Sequence, residues 1–292
     1  MYTRRCPDTG REEETETMGS VFFENRFNAR YIMLAVLVIV LVLAILSQGA
    51  SKEEIQAQEE TPDFILTGLV DDTIRQDIGT GVEDTVLKWA LAAAENPNVN
   101  DPHRFDSFEG ALFIGDSRTE GMLFYSGVEN ADFFSGKSMS VDKVLKGNTV
   151  NVGGEDLSLK DLLKKKTYNK VYICLGINEL GWTSKDSFTE SYGTLIDQVI
   201  TAQPAAEVFV ELLFPVSAKK SGSDKVFNNT NIKTCNERLS ALAQEKGVRA
   251  LDPSPPLVDA SGSLKTEATS DGIHINSDYC VRWAIYLARI SM

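Results

Sequence analysis

The sequence predicts a three-layer α/β/α sandwich around a mainly parallel sheet of about five strands, preceded by one transmembrane helix. Three observations carry this prediction. Short, near-continuous apolar runs recur at 111–115, 131–135, 170–176, 208–216 and 248–251, as expected for parallel strands covered on both faces. Amphipathic helical stripes separate the later runs, and this alternation over the C-terminal part of the chain defines the α/β class. Near the N-terminus, residues 31–46 form an unbroken apolar segment that no soluble domain would leave uninterrupted.

In chain order, residues 1–30 read as a polar cytoplasmic tail and 31–50 as the anchor. Arg26 and Arg30 lie just before the apolar run, with Arg4, Arg5 and Arg11 further back, and only Lys52 follows closely. The positive-inside rule then puts the N-terminus in the cytoplasm and everything after residue 50 outside. A cleaved signal peptide ending near Ser47-Gln48-Gly49 is the rival; the long preceding segment favours an uncleaved anchor. Residues 51–105 read as an extracytoplasmic stalk with one helix over 82–95 and a turn-rich close, Asn96-Pro97-Asn98-Val99-Asn100-Asp101-Pro102, part of it free to pack on the domain. Residues 106–292 form the predicted domain. Helices are expected at 187–202, from Phe188, Tyr192, Leu195, Ile196 and Val199, and at 231–246, stopped by Gly247. A last helix starts near the Ser277-Asp278 capping pair.

Composition narrows the function. The chain is acidic, with a formal net charge of −13, which argues against a nucleic-acid partner. Cys174, Cys235 and Cys280 have no close-spaced partner and read as small buried residues, with one disulfide left open. No Cys-x-x-Cys is present and there are two histidines, so a structural zinc site has almost no support. No cofactor or metal is expected.

Three segments carry chemistry. Phe113-Ile114-Gly115-Asp116-Ser117-Arg118-Thr119 is an apolar strand running into a serine at the start of a helix, where backbone N–H groups favour developing negative charge. An N-cap serine is the plain alternative. Gly176-Ile177-Asn178-Glu179 follows the strongest strand, where an asparagine amide can face an oxyanion or simply form an Asx turn. In Asp271-Gly272-Ile273-His274 a carboxylate three residues before an imidazole can fix the tautomer that leaves Nε2 free to take a proton. The other histidine, His103, lies in a Pro- and Asn-rich loop with no carboxylate at a triad-like position in a defined element.

In this order, over about residues 109–292, these blocks resemble the SGNH/GDSL hydrolase family, esterase- and lipase-like acylhydrolases, here of a membrane-anchored bacterial type. The resemblance implies a flavodoxin-like SGNH fold. It assigns Ser117 as nucleophile, His274 as base and Asp271 as its orienter. The implied oxyanion hole combines the Ser117 N–H, the N–H of Gly136 after the second strand, and the Asn178 amide. Two departures stand out. Glu179 replaces the usual aspartate of the third block, and Arg118 replaces the leucine that usually follows the serine. A cation in the first helical turn opposes the dipole. Arg118 therefore either pairs with a carboxylate such as Glu120 or lines the site for an anionic or polyhydroxylated substrate. Trp182 either stacks on a sugar ring or packs at the rim.

No Gly-x-Ser-x-Gly elbow, no Ser-Asp-Asn or Lys-Thr-Gly set, and no Walker loop appears. Together with the expected extracytoplasmic location, the resemblance implies hydrolysis of O-acyl, mainly O-acetyl, esters on cell-wall or other polysaccharides. A lysophospholipase or lipase-like acylhydrolase and an O-acyltransferase are the alternatives within the class. A catalytically silent glycan-binding protein is the alternative outside it.

Overall fold

A computed structural model describes residues 72–292, with side chains described from Asp84 onward. The predicted tail, anchor and first part of the stalk lie outside the described residues. Among the described residues no helix is long and apolar enough to cross a membrane.

The first element is α1 (Asp72–Glu95), which begins earlier than the helix expected at 82–95. After a 3-10 turn at Asp106–Phe108 the chain enters β1 (Ala111–Gly115), α2 (Ser117–Tyr125), β2 (Ala131–Ser135) and α3 (Val141–Leu145). A hairpin of β3 (Thr149–Val152) and β4 (Glu155–Ser158) follows, then α4 (Leu159–Lys165) and β5 (Lys170–Cys174). The remainder is α5 (Lys185–Ala202), β6 (Glu207–Glu211), α6 (Ala218–Ser223), α7 (Asn229–Lys246), β7 (Arg249–Leu251) and α8 (Ser277–Ile290).

Five strands form one parallel sheet in the order β2-β1-β5-β6-β7. Alternation along each strand explains the continuous apolar runs. Leu112, Ile114, Val171, Ile173, Val208 and Val210 enter one core layer. Phe113, Phe133, Tyr172 and Phe209 enter the other. These four aromatics are direct register partners across adjacent strands and stack as a ladder, with centroids at 4.9, 4.5 and 4.8 Å. Arg249, opposite Phe209 on β7, ends the ladder with its guanidinium 5.1 Å from that ring. Such cross-strand pairs fix the register, because a one-residue slip would turn every ring to the opposite face.

The hairpin was not among the expected strands, although its turn was readable. Gly153 and Gly154, with φ of 63° and 90°, form a two-residue connection that demands positive φ at both positions. Gly247 caps α7 in the left-handed conformation, as expected. The last helix is capped by Asn276, whose side chain accepts the Tyr279 N–H; the Ser277-Asp278 pair already lies inside the helix.

Part of the predicted stalk belongs to the domain's packing. Ala90 and Ala94 of α1 are fully buried in the same layer as α8. Arg282 of α8 donates to the carbonyls of Ala94 and Glu95, satisfying groups that a helix C-terminus leaves open. Arg289 sits 4.2 Å from the Trp89 ring centroid. The three cysteines of the domain are buried free thiols.

Candidate active site

In an open parallel sheet, sites gather beyond the carboxyl ends of the strands. The strand register places the segments that follow β2, β1 and β5 side by side there. Gly115 of β1 pairs with Ser135 of β2 on one side and Cys174 of β5 on the other. Ser117 therefore follows β1, flanked by Gly136 after β2 and by the 3-10 turn Ile177–Glu179 after β5 that carries Asn178. Gly115 must be glycine, because a Cβ there would lie 1.9 Å from Thr119 Oγ1 in the first turn of α2. This close approach tucks α2 against β1 and puts Ser117 at the helix start. Asp116 is the N-cap and accepts the Arg118 N–H at 2.8 Å.

The Asp271–His274 segment comes from the loop before α8. Gly272 has φ of 85°, and a Cβ there would lie 2.6 Å from Ser217 Oγ. The loop is thus folded tightly against the start of α6. Asp271 Oδ1 accepts the N–H groups of Ile273 (2.8 Å) and His274 (2.9 Å), and Oδ2 lies 2.6 Å from His274 Nδ1. Burial raises the Asp271 carboxyl, but these hydrogen bonds and the imidazole's field outweigh it and hold the group well below the carboxylate range. An ionised carboxylate only accepts, so Nδ1 carries the ring proton. Nε2 is then the acceptor for the Ser117 hydroxyl, 2.8 Å away. The three expected triad residues are in one hydrogen-bonded line.

The segments expected to carry oxyanion donors are braced by loop contacts. Asn178 is half-buried, and its Nδ2 donates to Met139 O at 2.8 Å, leaving its second amide hydrogen for another acceptor. A Cβ at Gly136 would meet nothing within 4 Å, so there is open space on the side-chain side of that residue. Glu179 explains its own departure from the family pattern. Its Oε1 accepts the Val141 N–H at 2.7 Å, tying the third-block turn to α3 and the Gly136 loop.

Two expectations need correction. Arg118 neither pairs with Glu120 nor lines the substrate surface. It is buried, with Nε donating to Ile273 O (3.2 Å) and Nη1 to Phe214 O (2.9 Å), and its Cζ lies 3.9 Å from the Phe214 ring centroid. Burial pulls its guanidinium down to about 10, against the fields of Asp116 and Asp271, so it remains a cation at neutral pH. Trp182 is half-buried and packs edge-to-face on Phe188 at 6.4 Å. His103 does have a carboxylate neighbour, Asp106 Oδ2 at 2.9 Å, but this exposed pair sits in the loop and 3-10 turn before β1. Ser117 is bonded to His274.

Sequence reasoning missed a group of buried acids behind the serine. Glu211, at the end of β6, accepts from Cys174 Sγ (2.7 Å) and Trp283 Nε1 (2.5 Å). Burial pushes its carboxyl up to about 7, against those two bonds. Burial likewise raises Asp116 to about 6, against Arg118 and His274, and Glu179 to about 7, against its bond from Val141. The only sequence signal was a charged residue inside an apolar run (Glu211) or just beyond one (Asp116, Glu179). Such raised carboxyls keep protons that the unfolded chain has released, so they cost stability as pH rises from the ordinary carboxylate range through about 7. Asp271 acts oppositely, but only below its ordinary range. Melting temperature should therefore fall between about pH 5 and about pH 8. Glu211→Gln, which cannot ionise, should melt higher than wild type at the upper end and show a shallower slope; parallel curves would refute this.

A serine at a strand's carboxyl end, an aligned imidazole and a fixed carboxylate define a serine hydrolase of the acyl-transfer class. Residues 113–278, more than half of the chain, match the model of the GDSL-like Lipase/Acylhydrolase family. The chain belongs to that family and is a carboxylic ester hydrolase of the SGNH/GDSL type. Among solved structures it is similar to a Streptococcus pneumonia protein described as a candidate platelet activating factor, at 17% identity and a TM-score of 0.50, covering 75% of this chain and 98% of that one. It is also similar to an aryl esterase of M. smegmatis, at 17% identity and TM-score 0.45, covering 62% and 96%. A carbohydrate acetylesterase from Sinorhizobium meliloti matches at 16% identity and TM-score 0.42, covering 62% and 96%. No curated protein matches the sequence significantly.

Proposed function

We propose that the protein is a membrane-anchored, extracytoplasmic serine esterase that removes small O-acyl groups, chiefly O-acetyl, from cell-wall or other polysaccharides. The observation that carries the substrate class is the openness of the triad. The side chains of His274 and Asp271 are 47% and 50% exposed. A polymer cannot enter an enclosed pocket and must meet its catalyst at the surface, whereas a long acyl chain gains by burying its methylenes in an apolar cleft. Water also reaches an open site, which favours hydrolysis of the acyl-enzyme over transfer to a second sugar.

The mechanism is two-step acyl transfer. Ser117 Oγ attacks the ester carbonyl while His274 Nε2 takes its proton, and His274 returns that proton to the leaving alkoxide. Water, deprotonated by His274, then attacks the acyl-enzyme and releases the acid, restoring Ser117. The donors near the developing oxyanion are the Ser117 and Gly136 N–H groups and the Asn178 amide.

The anchor reading rests on the apolar run 31–46 and the arginines before it. Two measurements test these proposals. Chromogenic acetyl esters should be cleaved with kcat/KM at least about tenfold above long-acyl esters, and acetate should be released from an acetylated polysaccharide; a long-chain preference would overturn the substrate class. Protease added to intact cells should digest the domain, and full protection would overturn the topology.

A further inference from the structure

The residue after the nucleophile sits between parts of the site that come from three distant segments. Arg118 is on α2, one residue from Ser117. Its two side-chain bonds reach the carbonyl of Ile273, beside His274, and that of Phe214, beyond the end of β6. Phe214 also offers its ring face to the guanidinium and packs on Trp283 of α8, at 5.4 Å. The carboxylate of Asp116 lies on the nucleophile's side, accepting the Arg118 N–H.

We propose that Arg118 is a positioning residue: a buried cationic clamp that locks the loop carrying Asp271 and His274 to the helix that carries Ser117. Three physical points support this. First, nucleophile and base lie 157 positions apart in the chain, yet the 2.8 Å contact between Ser117 and His274 needs sub-ångström registration of two separate elements. The bond from Arg118 Nε to Ile273 O spans the same two elements, adjacent to both catalytic side chains. Second, the guanidinium is a planar fork whose donors keep a fixed mutual geometry, so bonds to two carbonyls define direction as well as distance. Third, the clamp is confined. The cavity beside it, lined by Asp116, Thr119, Cys174, Glu211 and Trp283, measures only about 10 Å³. That is roughly room for one water, and Arg118 itself is only 5% exposed. The inference rests on the esterase reading only for its substrate assay.

The test uses the full chain with Arg118→Leu and Arg118→Lys. Leucine makes neither carbonyl bond; lysine keeps the charge and can make one. The readouts are kcat and KM on a chromogenic acetyl ester, and the rate at which a fluorophosphonate labels Ser117, whose end-point counts folded sites. Per folded site, Arg118→Leu should lose at least about tenfold in kcat with KM within about twofold, and label at least about tenfold more slowly. Arg118→Lys should recover part of both losses. Wild-type values per folded site in Arg118→Leu, or a loss confined to KM, would overturn the clamp. Should Arg118→Leu yield no folded sites, wild-type values in a folded Arg118→Lys would overturn it equally. A wild type that is labelled on Ser117 but cleaves no acetyl ester would sink the acetyl-ester substrate reading, and the clamp would still be decided by the labelling rates.

Discussion

His274→Ala should lower kcat on an acetyl ester by about 10⁴-fold or more, with KM nearly unchanged. The chain has two histidines, and the Ser117 hydroxyl is bonded to His274. Without that imidazole the serine stays a weakly nucleophilic alcohol at neutral pH, and nothing returns a proton to the leaving group. The side chain is 47% exposed, so its loss leaves little cavity. Melting temperature should stay within about 2 °C of wild type, because surface substitutions usually change stability by less than about 0.5 kcal/mol. His103→Ala is the matching control and should keep the wild-type rate, since His103 pairs with Asp106 before β1. A His274→Ala enzyme with more than about a tenth of wild-type kcat would refute the assignment of the base.

Asp271→Asn should cost nearly as much, by a different route. Oδ1 of Asp271 accepts two backbone N–H groups, from Ile273 and His274. An asparagine must keep its carbonyl oxygen there or leave both donors unpaired. Its amide nitrogen then faces His274 Nδ1, where Asp271 Oδ2 now lies at 2.6 Å. An N–H group pointing at Nδ1 demands an unprotonated Nδ1, so the ring proton moves to Nε2 and His274 can no longer accept from Ser117. The loss in kcat should reach about 10³- to 10⁴-fold with the loop's backbone bonds intact. The check is kcat together with the imidazole nitrogen shifts by NMR. A variant that stays active, or keeps its ring proton on Nδ1, would contradict this role for the carboxylate.

Much of this arrangement was legible in the chain because it depends on short-range patterns. β1 and β2 begin and end where their apolar runs do, at Ala111–Gly115 and Ala131–Ser135. The expected strand at 208–216 is shorter, Glu207–Glu211, because its later apolar residues Leu213, Phe214 and Val216 serve the core from a loop. The Asp271–His274 pairing was readable because its spacing is local. What sequence did not show depends on contacts between distant segments. A basic residue after a serine looks exposed until Phe214 and Ile273, 96 and 155 positions away, are found to enclose it. Glu211 lies inside the expected apolar run 208–216, and its role shows only when Cys174 and Trp283 are placed against it. The length of α1 was underestimated because polar residues and glycines break its apolar stripe. Its packing on α8 instead uses alanines, an aromatic ring and arginine bonds to its C-terminal carbonyls.

The proposed mechanism makes Ser117, activated through His274 and Asp271, the nucleophile. The most direct measurement is the intact mass of the full chain after exposure to a fluorophosphonate, with peptide mapping of the adduct. One adduct per chain is expected, on Ser117, absent from Ser117→Ala and strongly slowed in His274→Ala. An adduct on another residue, or equal labelling of Ser117→Ala, would contradict it.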